Sequence, residues 1–217
     1  MAVVLYNPNP LPFLQIFQKG ERIFELGDNL PPIKISQNWG ELGVAAVVWE
    51  AALVLGTFLL TLKQEIDQKK VLELGSGTGF SGIIASLLGG DVTLTDLPGC
   101  LDVCRNNVGL NLDPNINKYS VVPLKWNENL KKDWSDKHFD YIIGADLVYI
   151  EDTFQDLVDT LSFFSRTNNP KIYLSGKIRY EKRFKQFKDI LEKDFKLNYL
   201  KFDNITNNYL IELKKIK

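Results

Sequence analysis

The segment Val71-Leu72-Glu73-Leu74-Gly75-Ser76-Gly77-Thr78-Gly79 constrains this chain more than any other. A short apolar run bounded by glycine reads as a buried strand. Glycines at alternate positions then free the backbone for positive φ and for close approach to a ligand. Phe80–Leu88 reads as a helix starting directly after the loop, so its unpaired N–H groups face whatever the loop cradles. Thr95-Asp96 ends the next strand, 21 residues beyond Gly75. A carboxylate at that spacing sits where a bound ribose would present its hydroxyls. Strand, loop, helix and acid together predict a site for a nucleoside-containing ligand.

The rest of the chain alternates in the same style. Lys69–Leu74, Asp91–Thr95, Tyr119–Pro123, Asp140–Ala145, Lys171–Ser175, Phe195–Phe202 and Asn208–Leu213 read as strands. Helices are expected at Phe80–Leu88, from Pro98 to about Leu112, at Thr153–Ser165 with Asp152 as N-cap, and at Glu181–Lys193. Alternation of strand and helix predicts an α/β fold with a mostly parallel sheet covered on both faces. The last two strands have no helix between them and predict a C-terminal antiparallel hairpin. Ahead of this lies an N-terminal extension, residues 1–42, with short strands at Ile23–Leu26 and Ile33–Ser36 around a turn at Gly27–Leu30. Residues 43–217 form the main domain.

Val44–Leu62 is 19 residues long with one charge, Glu50, and reads as a single long helix. It would register in a hydropathy window for a membrane span. Glu50 near its middle would cost about 2.5–3.5 kcal/mol in a bilayer. No second span and no Lys/Arg cluster at its start accompany it, so a helix buried in a soluble domain is the expectation. Met1–Leu5 lacks a basic flank and is followed by Pro8, Pro10 and Pro12, unlike a signal peptide.

Two ligands compete for the glycine loop. Gly77, Gly79 and Gly82 satisfy G-x-G-x-x-G, the dinucleotide fingerprint, but the first glycine after the strand is Gly75. Glu73 could bond loop backbone or balance a cationic ligand. Its carboxylate would repel a pyrophosphate and tolerate a sulfonium. S-adenosylmethionine carries a sulfonium and no phosphate.

Composition narrows the chemistry. One histidine, His138, excludes a zinc site built on two or more His and leaves little for a His-centred triad; it reads as a surface residue. No metal site is expected. The two cysteines, Cys100 and Cys104, share one helix face, read as small core residues, and suit a reducing, cytoplasmic compartment. Residues 177–217 hold 12 Lys+Arg against 6 Asp+Glu, while the whole chain carries −1. Basic and acidic residues interleave there, which reads as a solvated helix face and a lysine-rich tail rather than a nucleic-acid patch.

The loop Glu73-Leu-Gly-Ser-Gly-Thr-Gly79 resembles motif I of the class I, seven-β-strand methyltransferases. Gly43-Val-Ala-Ala-Val-Val-Trp49-Glu-Ala-Ala, Gly90-Asp-Val-Thr-Leu-Thr-Asp96 and Gly144-Ala-Asp146-Leu-Val-Tyr149 are similar to the family 16 protein-lysine methyltransferases, in particular the methyltransferase-like 21 subgroup. That subgroup includes enzymes that methylate heat-shock protein 70 chaperones and others that methylate translation elongation factor one alpha. The resemblance runs from about Gly43 to Leu213. It implies a Rossmann-like seven-stranded sheet, S-adenosyl-L-methionine as cofactor and a cytosolic protein lysine as acceptor. By position it implies cofactor contacts from Trp49, Glu73, Gly75, Ser76, Gly77, Asp96, Trp126 and Ala145. Asp146 and Tyr149 match the D-x-x-Y pattern at the family's substrate mouth. Glu50 stands where Asp is usual and Ser76 where Ala is common; neither removes a needed group. Gly43–Trp49 and Ile178–Glu181 look more like the chaperone enzymes, Gly89–Val92 and Thr95–Pro98 more like the elongation-factor enzymes.

Methyl transfer from a sulfonium to an amine needs alignment, exclusion of water and a neutral amine rather than a strong base. The expected catalytic pair is therefore Asp146 and Tyr149, positioning the amine, with Glu151, Asp152, Asp156 and Asp159 making an acidic mouth that attracts a cationic lysine and repels nucleic acid. The fold alone leaves a small-molecule or nucleic-acid methyltransferase, or a non-catalytic binding module, open. No N-P-P-[YF] clamp stands at the fourth strand. A monomer is expected, since no exposed heptad or long apolar edge is visible.

Overall fold

A computed structural model describes residues 20–27, 30–37, 40, 43–166 and 168–216. The Pro-rich start and part of the turn expected at Gly27–Leu30 lie outside the described residues. Seven strands form one sheet in the order β5-β4-β3-β6-β7-β9-β8. They are β3 (Lys70–Leu74), β4 (Asp91–Asp96), β5 (Tyr119–Pro123), β6 (Tyr141–Ala145), β7 (Lys171–Lys177), β8 (Phe195–Asp203) and β9 (Asn208–Lys215). β3 to β7 run parallel, and β9 pairs antiparallel with both β7 and β8. This is the α/β sheet with a C-terminal hairpin that the strand–helix alternation predicts.

Strand chemistry divides the core in two. Val71, Tyr141, Ile143 and Tyr173 point to one face, Leu72, Leu74, Ile142, Ile172 and Leu174 to the other. Successive side chains of a strand alternate between faces, so strands covered on both sides read as continuous apolar runs. On the first face lie α1 (Glu50–Thr61), α3 (Phe80–Leu87) and α4 (Leu101–Asn111); on the second, α6 (Phe154–Phe164) and α7 (Glu181–Leu191). Short helices α2 (Lys63–Ile66) and α5 (Leu130–Asp133) complete the set.

The expected helix over Val44–Leu62 is corrected. Gly43–Ala46 is a 3-10 turn, Trp49 is extended at φ −79° and ψ 157°, and the α-helix begins only at Glu50. The cause is a separate hairpin, β1 (Glu21–Phe24) with β2 (Ile33–Ser36). Gln37 Oε1 accepts the Val48 N–H at 3.0 Å, and Arg22 donates to the Val48 carbonyl at 3.0 Å. Side chains from the hairpin thus satisfy backbone groups that a helix would otherwise pair, and the chain stays extended there. Twelve helical residues span about 18 Å, short of the ~30 Å hydrocarbon core of a bilayer. Among the described residues no helix is long and apolar enough to cross a membrane.

Two asparagines seat the hairpin on α4. Asn107 accepts the Ser36 N–H at 2.8 Å and donates to the Ser36 carbonyl at 3.1 Å. Asn111 does the same for Lys34, at 2.8 Å each way. Each amide imitates a neighbouring strand along the hairpin edge, satisfying groups that would otherwise be exposed. Phe24, Ile33 and Ile35 join the same core as α1 and α3. Three smaller differences concern boundaries. β1 starts two residues before the expected Ile23. Pro98–Cys100 is a 3-10 turn, with α4 beginning at Leu101. The N-cap of α6 is Thr153, not Asp152, because Glu151–Thr153 itself forms a 3-10 turn.

Candidate active site

The strand order reverses between β4-β3 and β6-β7, and ligands of open α/β sheets bind beyond the carboxyl ends of strands at such a switch point. A cavity of about 360 Å³ lies there. Trp49, Glu73, Gly75, Ser76, Gly77, Asp96, Trp126, Ala145, Asp146 and Tyr149 all line it. The structure brings these ten together from five stretches of chain. His138 lies elsewhere, exposed, its Nε2 at 3.3 Å from Lys70 Nζ. Among the described residues no cluster could hold a metal ion.

The loop after β3 is built on left-handed backbone. Gly75, Gly77 and Gly79 have φ of 60°, 51° and 80°. Ser76 N–H donates to the Thr95 carbonyl at 2.9 Å, and Gly77 N–H donates to Asp96 Oδ2 at 2.8 Å. A Cβ on Gly77 would sit 2.9 Å from the Ala45 carbonyl oxygen, which belongs to backbone and cannot swing aside. The αL penalty of about 1–2 kcal/mol and an overpacking cost of about 1–3 kcal/mol add. Gly77→Ala is therefore expected to lose about 2–4 kcal/mol of stability in urea unfolding; a loss under about 0.5 kcal/mol would show that the loop relaxes freely.

Two carboxyls stand on this loop. Glu73 is buried, and its Oε2 accepts the Gly82 N–H at 3.1 Å in the first turn of α3. Burial pushes it up to about 8, against hydrogen bonds from Ser76 and Gly82 that pull it down, with nearby Asp96 adding to the rise. Asp96 accepts Gly77 N–H on one oxygen and Leu97 N–H, at 2.7 Å, on the other; burial raises it as well. Cys104 is fully buried while Cys100 is half-buried beside Asp96, so only the first is the core residue expected.

The outer end is open. Tyr149, Ile150, Leu97 and Tyr180 are 45%, 47%, 48% and 63% exposed. Burial, then the charges of Asp96, Cys100 and Asp146, push the Tyr149 phenol up, so it stays a hydroxyl donor at neutral pH. Asp146 follows β6 at φ +58°, an uncommon conformation that a non-glycine residue holds only when its surroundings impose it. Its N–H donates to the Ser175 carbonyl at 2.8 Å, and the two terminal nitrogens of Arg179 donate to its two carboxylate oxygens at 2.8 and 2.7 Å. The guanidinium carbon lies 5.2 Å from the Trp49 ring centre. Behind it, burial pushes Glu50 up, but hydrogen bonds from Lys177 at 2.7 Å and Asn208 at 3.3 Å outweigh that and hold it low.

The expected acidic mouth is partly cancelled, since two of its carboxylates are ion-paired while two others accept hydrogen bonds from a neutral amide. Arg179 neutralises Asp146, Arg183 donates to Glu151 at 2.9 Å, and Asn127 binds Asp156 and Asp159 at 3.1 Å each. Arg179 stood in the sequence only within Ile178–Glu181, the stretch resembling the chaperone enzymes, and its pairing with Asp146 was not expected. The available signal was that β6 and β7 are parallel, so the residues following each emerge at one edge. Asn107, which donates to the Thr78 carbonyl at 3.0 Å and so braces the glycine loop from α4, carried no local signal.

Which ligand fits is decided by the charges. The cations lining the cavity among the described residues are Lys125 and Arg179, both at the rim and paired with Glu128 and Asp146. A pyrophosphate would meet the Asp96 carboxylate with no free cation. A ligand with ribose hydroxyls and positive charge meets acceptors, and the buried Ser81 hydroxyl, without a protein partner, also lines the cavity.

Comparison with known proteins agrees with this chemistry. A family model described as lysine methyltransferase matches residues 28–193. Protein N-lysine methyltransferase METTL21A of Mus musculus is 40% identical over 216 residues, covering 99% of this chain and 97% of that one. EEF1A lysine methyltransferase 3 of Xenopus tropicalis is 43% identical over 165 residues, 75% of this chain and 72% of that one. Two solved structures show the same fold at low identity. A Streptococcus mutans protein described as a SAM-dependent methyltransferase superposes with a TM-score of 0.63 at 18% identity; the match covers 91% of this chain but only 56% of that one. The O-methyltransferase of Bacillus cereus, in complex with SAH, gives 0.56 at 17%, over 80% of this chain and 84% of that one.

Proposed function

The chain belongs to the lysine methyltransferase family, with S-adenosylmethionine as its cofactor, and from that premise we propose that it methylates a lysine of a cytosolic heat-shock protein 70 chaperone. The observation that carries the reading is one cavity joining the glycine loop and Asp96 at its inner end to Asp146 and Tyr149 at its open end. Gly75, Ser76, Gly77 and Glu73 would hold the amino-acid part of the cofactor, Asp96 its ribose, with Trp49, Trp126 and Ala145 walling the cavity. When bound, the cofactor supplies an activated methyl group and a neutral leaving group.

The protein's own contribution is positioning. Leu97, Tyr149 and Ile150 form an apolar rim that a protein segment can cover, excluding water while the lysine stem reaches inward. Asp146 keeps lone pairs beyond the two given to Arg179, and these, with the Tyr149 hydroxyl, orient the amine. No imidazole is required, and the free cysteines support a reducing compartment. The match to METTL21A over nearly its whole length, together with the likeness of Gly43–Trp49 and Ile178–Glu181 to the chaperone enzymes, favours a chaperone acceptor. The 43% match to EEF1A lysine methyltransferase 3 makes elongation factor one alpha the alternative. The protein acts as a monomer.

The test is transfer of labelled methyl from S-adenosylmethionine to proteins of a cell extract, and to purified chaperone and elongation factor side by side. Selective labelling of the chaperone, with a methyl-lysine found by mass spectrometry, is expected. No labelled protein despite cofactor binding would sink the reading. Asp146→Ala is expected to lower kcat about 10- to 100-fold with cofactor affinity retained, since an orienting contact is lost; unchanged kcat would remove Asp146 from catalysis.

A further inference from the structure

We propose that Arg179 is a positioning residue that keeps the acceptor lysine uncharged, by cancelling the charge of Asp146 at the point where the amine enters. The inference rests on the lysine-methylating reading above. It starts from a conflict at the cavity mouth. An amine attacks only as the free base, and a lysine in water holds its proton to a pKa near ~10.4. A bare carboxylate beside it would raise that value further, since opposite charge favours the ionised form. Asp146 alone would bind the substrate well and hold it unreactive.

The geometry removes the conflict. Both oxygens of Asp146 are engaged by the two terminal nitrogens of Arg179, the side chain of Asp146 being 10% exposed. The fork is held from behind, over the Trp49 ring. Of the other charges lining the cavity, Asp156 of α6 accepts a hydrogen bond from the neutral Asn127 amide and keeps its charge, while the rest are matched, turned away or neutral. Glu50, from the start of α1, is bonded to Lys177 at the end of β7 and to Asn208 of β9. Glu151, from the turn before α6, is bonded to Arg183 of α7. Tyr149 and Tyr209 stay neutral, as burial raises both. Asp96, at the end of β4, is turned to the Gly77 and Leu97 N–H groups. Glu73 lies at the inner end, its carboxyl protonated at neutral pH. The guanidinium, paired with Asp146, is therefore the cation next to an amine placed there, and a fixed cation next to a lysine depresses its pKa.

The reaction then balances simply. The ammonium gives its proton to water as it leaves solvent. The nitrogen lone pair forms the N–C bond while the C–S bond breaks, its electron pair staying on sulfur. The methylated product leaves as an ammonium that keeps its remaining protons in water near neutral pH, so one proton is released per methyl transferred.

The experiment is the pH dependence of kcat between pH 6.5 and 10, at saturating acceptor and cofactor, for the wild type, Arg179→Gln, Arg179→Lys and Asp146→Asn, on whichever purified acceptor, chaperone or elongation factor, the wild type labels; kcat reports ionisation in the bound complex. Removing a unit charge at this distance moves a neighbouring pKa by about one unit. Arg179→Gln is expected to be about tenfold slower at pH 7 and to recover above about pH 9. Arg179→Lys is expected to keep the wild-type midpoint, and Asp146→Asn to move it to lower pH whatever its maximal rate. A constant loss in Arg179→Gln at every pH, or a common midpoint for Arg179→Gln and Asp146→Asn, would overturn the proposal. Should Arg179→Gln fail to bind cofactor, the acid shift of Asp146→Asn decides alone. Absence of lysine labelling by the wild type would instead overturn the function on which it rests.

Discussion

Asp96→Ala is expected to weaken S-adenosylmethionine binding about 100-fold in titration calorimetry. Two losses combine. The ribose loses a charged acceptor, a kind of contact worth about 1.5–3 kcal/mol. The glycine loop loses its tether as well, since Asp96 Oδ2 holds the N–H of Gly77, a residue in left-handed conformation. Without that bond the loop is free to leave the shape that fits the ligand, and part of the binding energy goes into ordering it. Asp96→Asn retains one carbonyl acceptor and should lie between, about tenfold weaker. Affinity within threefold of the wild type in Asp96→Ala would show that the nucleoside end is held elsewhere.

Glu73→Gln is expected to stabilise the free protein, and to do so only above mildly acidic pH. In the unfolded chain this carboxyl ionises around its ordinary value of 4.5, whereas in the fold burial keeps it protonated up to about 8. Across that window the unfolded state binds fewer protons than the native state. Stability therefore falls as pH rises, by up to about 1.4 kcal/mol per unit, and the loss levels off above the folded value. Glutamine is uncharged throughout, and its carbonyl oxygen can still accept the Gly82 N–H. The two proteins should melt together near pH 4.5 and diverge steadily to pH 8. There the variant should be more stable by on the order of 3 kcal/mol, or roughly 6–12 °C in Tm for a chain of this size. A pH-independent difference would mean that Glu73 ionises freely in the fold. A buried acid tolerated at this cost in the middle of β3 points to use by the ligand, since structure alone would favour an uncharged side chain there.

How far local sequence reaches can be judged at three places. The strand, glycine loop and Asp96 were legible because each depends on neighbours in the chain: apolar continuity makes β3, and Gly75, Gly77 and Gly79 take backbone angles few other residues tolerate. The break at Val47–Trp49 was not legible, because the groups that compete with the helix, Gln37 and Arg22, lie 11 and 26 residues from Val48. The partial cancelling of the acidic mouth was hidden for the same reason. Asp146 and Glu151 are charged in sequence, but Arg179 and Arg183, 33 and 32 residues away, meet them in space.

Local pattern was enough for the α/β order, the glycine loop, the acid that ends β4 and the family, since periodicity and backbone preference act over a few residues. Tertiary structure alone decided where the apolar segment before β3 becomes helical, how the hairpin and Asn107 brace the loop, and which cation cancels Asp146. Those outcomes depend on β6 and β7 ending at one edge of the sheet and on the hairpin docking against α4. Electrostatic pairing acts through space, at separations the chain order does not encode.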